Sequence, residues 1–136
     1  RAAESAKKRT KAKKPEKIRT ESTEQIMFVA RAREFYPDVI VYAIPTGGAR
    51  VGLEAVLLKH EGVLAGVPDL FVAKMLGGYG GMYIEMKRVK GGRTSPEQRD
   101  MIERLKAEGY AVGVAEGVEE AWLQFETYIL TGLSPS

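Results

Sequence analysis

Hydrophobic and polar positions alternate in two rhythms along this chain. Across residues 20–36 apolar groups recur at Ile26, Val29, Ala30 and Phe35 with helical spacing, and Pro37 ends the run, which predicts a first helix. Residues 39–44 are rich in β-branched side chains and too short for a helix, so they read as a buried strand. A second helix is expected over residues 51–61, stopped by Gly62. Residues 66–72, with Pro68 leading, then predict a short strand, and residues 82–87 alternate apolar with polar as a strand does. Gly77, Gly78, Gly80 and Gly81 lie between them, and glycine tolerates the positive φ of a reversing connection, so the two strands should pair. Ser95-Pro96-Glu97-Gln98 combines an N-cap serine, a proline at the first helical position and a glutamine where a capping box needs one. That helix should run to about Glu108, with Met101, Ile102 and Leu105 inward. A buried strand over 110–114 and a closing helix over 118–130, with Trp122 in the core, complete the chain. Helix, strand, helix, two strands, helix, strand, helix, joined by short connections, is an α/β order that implies a mixed central sheet flanked by helices.

The strand pair also carries candidate chemistry. In an extended strand residues i and i+2 share a face, so Glu85 and Lys87 point one way while Ile84 and Met86 face the other layer. With Asp69 on the neighbouring strand, three charged groups converge at one end of a sheet. Two carboxylates can hold a hard divalent ion and leave room for water and phosphate oxygens, and a lysine beside them can position water or neutralise developing charge. That is the chemistry of phosphodiester hydrolysis. A Glu-x-Lys triplet alone arises by chance, and ordinary strand charges are the plain alternative. The weight comes from Pro68-Asp69 immediately ahead of the partner strand; Pro37-Asp38 is separated from Glu85 by a further strand and helix. As surface-facing charges, the three are expected to contribute little to the core, so their removal should leave the fold largely intact.

Pro68-Asp69 followed by Glu85-Met86-Lys87 resembles the proline-aspartate, glutamate-x-lysine signature of the restriction-endonuclease-like nucleases. The fuller string, with Glu61-Gly62-Val63, Gly66-Val67-Pro68-Asp69 and Ser95-Pro96-Glu97-Gln98, resembles the VRR-NUC branch, especially its small stand-alone phage members, over residues 21–125. The resemblance implies an αβββαβ core and a Mg²⁺- or Mn²⁺-dependent endonuclease that leaves a 5′-phosphate and a 3′-hydroxyl. It implies Asp69, Glu85 and the Met86 carbonyl as metal ligands and Lys87 as the residue that orients or activates water. A first-helix glutamate leans toward the metal in that family. Glu21, which shares a face with Gln25, looks most like it, and Glu24 is in reserve; helix-start carboxylates favoured by the macrodipole are the plain reading. Gln98 has two readings, cap partner or polar group near the site. The resemblance also implies a homodimer that cuts branched DNA such as four-way junctions.

Composition narrows the metal and the partner. Cysteine is absent and there is one histidine, so a metal site must be built from oxygen ligands, which favours Mg²⁺ or Mn²⁺ over zinc. His60, at a predicted helix end, reads as a solvated side chain. The longest apolar run, residues 39–44, is too short to span a bilayer, and no apolar segment follows the basic start; a soluble, cytoplasmic protein without a membrane partner is expected. The net charge of +3 hides a division. The first 20 residues hold nine Lys or Arg against two Glu, whereas the rest is net acidic. Residues 1–20 therefore read as a flexible basic arm, solvated or binding phosphate backbone, ahead of a single nuclease-like domain over 21–136. Further phosphate contacts are expected from Arg50, in a proline- and glycine-containing loop, and from Arg88, Lys90 and Arg93, in the loop that leaves the presumed site. No aromatic stacking platform is apparent along the chain, so base-specific readout is not expected. The rival from another class is a non-catalytic nucleic-acid-binding module, in which the basic groups do all the work.

Overall fold

The computed structural model describes residues 15–45 and 52–135, with Ala12 besides. Helix α1 (Glu21–Phe35) leads into strand β1 (Val41–Ala43), helix α2 (Leu53–His60), strands β2 (Leu70–Val72) and β3 (Met82–Lys87), helix α3 (Pro96–Ala107), strand β4 (Ala111–Glu116) and helix α4 (Val118–Thr131). Among the described residues the sheet order is β1-β2-β3-β4. β1, β2 and β3 pair antiparallel, and β4 runs parallel to β3 after the α3 crossover, so the sheet is mixed as expected. The glycine connection reverses the chain through a bridge between Leu76 and Tyr79, with Gly77 and Gly78 both at positive φ. No helix among the described residues is long and apolar enough to cross a membrane.

One face of the sheet is sealed. Val41, Leu70, Val72, Met82, Ile84 and Met86 pack against Phe28 and Ala32 of α1 and Val118, Ala121, Phe125 and Tyr128 of α4. Burial at roughly 25 cal/mol per Å2 of apolar surface makes this layer the main source of stability. Across the helix pair Arg31 forms a two-pronged ion pair with Glu119, at 2.8 and 3.1 Å, while lying 5.4 Å from the Trp122 ring centre. Trp122 is therefore half-buried at the seam rather than deep in the core.

The facing of α1 differs from its sequence expectation. Ile26, Ala30 and Phe35 are exposed, and the inward stripe is Glu24, Phe28 and Ala32, four residues apart. A buried carboxylate breaks the hydrophobic rhythm, so apolar spacing alone picks the wrong side. Glu24 is only 1% exposed: its Oε2 accepts from Val118 N–H at 2.7 Å and its Oε1 accepts from Arg19 Nε at 2.9 Å. It caps the first turn of α4, whose own N-cap residue, Gly117, has no side chain to do so.

Candidate active site

Asp69, Glu85 and Lys87 meet at one end of the sheet because of register. Leu70 opposes Ile84, and one further antiparallel step sets Asp69 beside Glu85. Asp69 is anchored there: its Oδ2 accepts the Met86 N–H at 2.8 Å. Gly66, at positive φ, lets the preceding turn press onto α3, where a β-carbon would come within 2.6 Å of the Glu97 carbonyl oxygen. That close approach joins the Asp69 side of the cleft to the first turn of α3.

Gln98 ties the groups together. Its Oε1 accepts from Lys87 Nζ at 3.0 Å and from Ser95 N–H at 2.9 Å, and its Nε2 donates to Glu85 Oε1 at 2.9 Å. Two donors converge on one amide atom, which must then be the oxygen, so the orientation of the amide is fixed. Ser95 Oγ accepts from Gln98 N–H and completes the capping box. Gln98 is thus the cap partner of α3 and at the same time bonded to Glu85 and Lys87. Lys87 Nζ also lies 3.3 Å from Glu85 Oε1.

Two of the three charges, Glu85 and Lys87, are not on the surface, while Asp69 is half-buried. Glu85 is 2% and Lys87 5% exposed, because the first turn of α3 closes over the end of β3. This corrects the expectation that they contribute little to the fold, since removing one partner of a buried pair strands the other. Burial first, then the Asp69 carboxylate, pushes Glu85 up to about 8, against the opposing pull of Lys87.

Asp69 and Glu85 open into a cleft of about 590 Å3, whose lining includes Glu21 from α1, Lys59 from α2 and Gln98 from α3. Among the described residues no three of His, Cys, Asp and Glu come together as a closed metal-binding group, so the carboxylate pair is Asp69 and Glu85, with Glu21 in the same cleft. Gln25 is half-buried and outside that lining, and Glu24 is engaged at α4. Two crowded carboxylates, one of them driven toward its protonated form, make an all-oxygen donor set that fits a hard divalent ion. Arg88 and Arg93 line a shallow depression with Glu21 beside this cleft, and Lys90 is exposed on the same loop. Arg50 and most of the basic arm lie outside the described residues. His60 is exposed at the end of α2, as expected.

Two features were missed from sequence. Lys59 gave no signal beyond its charge. Tyr42, Phe71, Tyr83 and Tyr110, one from each strand or its entry, form a row across the sheet that separation along the chain conceals.

A search of curated proteins finds no match. A solved structure titled "VRR_NUC domain protein" superposes with a TM-score of 0.73 at 29% identity, covering 88% of this chain and 99% of that one. The VRR-NUC domain family matches residues 4–119, from within the basic arm to the first turn of α4; the αβββαβ core is present, with α2 inserted between β1 and β2. The chain belongs to the VRR-NUC family of nuclease-type domains.

Proposed function

We propose that this chain is a metal-dependent DNA endonuclease, selective for branched DNA such as four-way junctions and acting as a homodimer. The observation that carries the reading is the single Gln98 amide that holds Glu85 and Lys87 beside the anchored Asp69. Asp69, Glu85 and the Met86 carbonyl would hold Mg²⁺ or Mn²⁺, with Glu21 approaching from α1. Such an ion polarises the scissile phosphate and makes water nucleophilic near neutral pH.

The remaining work belongs to the chain. Lys87, with its ammonium already aimed by Gln98, orients the attacking water or neutralises charge growing on the phosphate. Gln98 Nε2, bonded to Glu85 Oε1, holds that carboxylate in place, which limits reorganisation during the reaction. Cleavage leaves a 5′-phosphate and a 3′-hydroxyl. Arg88, Lys90 and Arg93, with Arg50 and the basic arm, grip the phosphate backbone, and phosphate contacts suffice to read the shape of a junction. A junction needs two opposed strands cut, and a two-fold dimer supplies two sites in a fixed relation.

The test is a panel of linear, flapped and four-way-junction DNAs incubated with Mg²⁺ or Mn²⁺, with EDTA controls and sedimentation at working concentration. Metal-dependent cleavage that favours junctions, by a dimer, is the expected result. Tight binding without cleavage in either metal would leave the chain a nucleic-acid-binding module.

A further inference from the structure

The aromatic row lies on the face of the sheet that carries the catalytic groups. Tyr42 on β1 touches Phe71 on β2 with ring centres 5.7 Å apart, Phe71 touches Tyr83 on β3 at 4.6 Å, and Tyr83 touches Tyr110 at 5.2 Å. The strand register sets Phe71 directly opposite both Tyr42 and Tyr83. Asp69 stands two residues from Phe71 and Glu85 two from Tyr83, so row and site share a face about 7 Å apart along the strands. The flanking positions Val72, Met82 and Ile84 point to the opposite, sealed face. The row is consequently not part of the main core.

The row is also open. Tyr42 is 46% exposed, and Phe71, Tyr83 and Tyr110 are half-buried. The other aromatic cluster, around Phe28, Tyr36, Trp122 and Phe125, is packed between α1 and α4. In the open row the rings are held rather than loose: Phe71 lies on Gly81, where a β-carbon would come within 2.6 Å of its Cζ. An aromatic row held in this way offers apolar faces without a large cost in ordering.

Granting the nuclease reading, DNA bound at Asp69 and Glu85 that continues along the strands must cross these rings. Paired bases keep their faces inside the duplex, so only unpaired bases have faces to lay on the row. We propose that Tyr42, Phe71, Tyr83 and Tyr110 form a stacking surface for unpaired bases next to the scissile phosphate, so the branched substrate is bound with bases unpaired at the branch point beside the cut. A second copy of the chain fits this face less well. With Tyr42 46% exposed and the other three half-buried, the rings expose roughly 400 Å2 at most, no more than about half of what one partner contributes to a standard interface.

Tyr42→Leu and Tyr83→Leu keep apolar volume and remove the ring face; Tyr42 is exposed enough that its variant folds whatever becomes of the other. The probe is a single-stranded oligodeoxynucleotide that carries a fluorescent base analogue quenched by stacking, in EDTA so that binding is read apart from cleavage. The wild type should quench it. Each variant should bind about tenfold more weakly and lose the quench, while Leu123→Ala, on the exposed side of α4, should match the wild type. Sedimentation should be unchanged throughout. Wild-type binding and quenching by both variants would overturn the proposal, and so would loss of the dimer, which would make the row a subunit interface. A wild type that quenches the probe yet cuts no DNA with either metal supports the stacking surface and sinks the nuclease reading alone.

Discussion

Two helices wall the same cleft and are built in opposite ways. α3 starts from a complete capping box, has proline at its first turn, buries Met101 and Ile102, and delivers Gln98 to Glu85 and Lys87. α2 starts at Gly52 without a side-chain cap and has no buried residue; Ala55, Leu58 and Lys59 line the cleft while Leu53, 83% exposed, Val56 and Leu57 form an apolar stripe on its outer side. An isolated helix of eight residues is marginal in water. One wall is therefore pre-organised by the chain's own packing, and the other buries no residue against the rest of the chain. In the proposed nuclease, chemistry belongs on the first wall and adaptation to a partner on the second.

The largest expected effect separates the two walls by catalysis. Asp69→Ala, Glu85→Ala or Lys87→Ala should reduce cleavage by about a thousandfold or more, the scale of losing a group that acts on transition-state charge. Lys59→Ala, on the α2 wall, should cost about fivefold or less, the size of one exposed ionic contact. Single-turnover cleavage by variants whose circular dichroism matches the wild type measures both. Equal losses from Lys59 and Lys87 would break the comparison.

The next effect concerns what pre-organisation costs in stability without metal. The folded-state pKa of Glu85 is raised, from 4.5 to about 8, so its protonated form is the one that folding favours. Stability from this group is complete below the unfolded value and is lost as pH rises through the folded one. Melting in EDTA should accordingly weaken between about pH 5 and pH 9, by roughly a few kcal/mol. Glu85→Gln should flatten that dependence, and Mg²⁺ or Mn²⁺ should restore the wild type at the alkaline end. A wild-type melting temperature that stays level across the range would mean that the buried pair is not strained.

Legibility from sequence followed the range of the interactions. β3 and the capping box of α3 were readable in full because alternation, an N-cap serine and a glutamine three residues on are local signals. The end-to-end convergence of Asp69, Glu85 and Lys87 was readable because one short hairpin brings it about. Glu24 was not, since its partner, the Val118 amide, is 94 residues away and nothing near α1 announces it. Burial of Glu85 and Lys87 was missed for the same reason: a strand period gives the face, but only the packing of α3 decides whether that face is covered. The aromatic row escaped because its members come from separate strands.

A smaller effect tests whether the cap serves the site as well as the helix. Ser95→Ala removes the hydroxyl that accepts from Gln98 N–H and should cost about 1 kcal/mol of stability. Because the same glutamine orients Glu85 and Lys87, cleavage should fall about tenfold, more than so small a stability change explains. Ser95→Thr, which keeps a capping hydroxyl, should recover most of both. Lost stability with unchanged cleavage would reduce the box to a helix cap.

The smallest expected change in monomer stability belongs to α2, and it is the most informative about the partner. Leu57→Glu replaces an exposed apolar side chain in the middle of the outer stripe, and an exposed substitution of this kind stays within about 0.5 kcal/mol for an isolated chain. If a second copy covers the stripe, the same change buries a carboxylate without a partner in each half of the interface, which costs far more. The two situations separate in concentration dependence. A dimer should sediment as a monomer after Leu57→Glu, lose paired cuts at four-way junctions, and keep single-strand nicking by the α3-organised site. A variant that stays dimeric and resolves junctions normally would place the subunit contact elsewhere, and the α2 wall would then take its order from DNA instead.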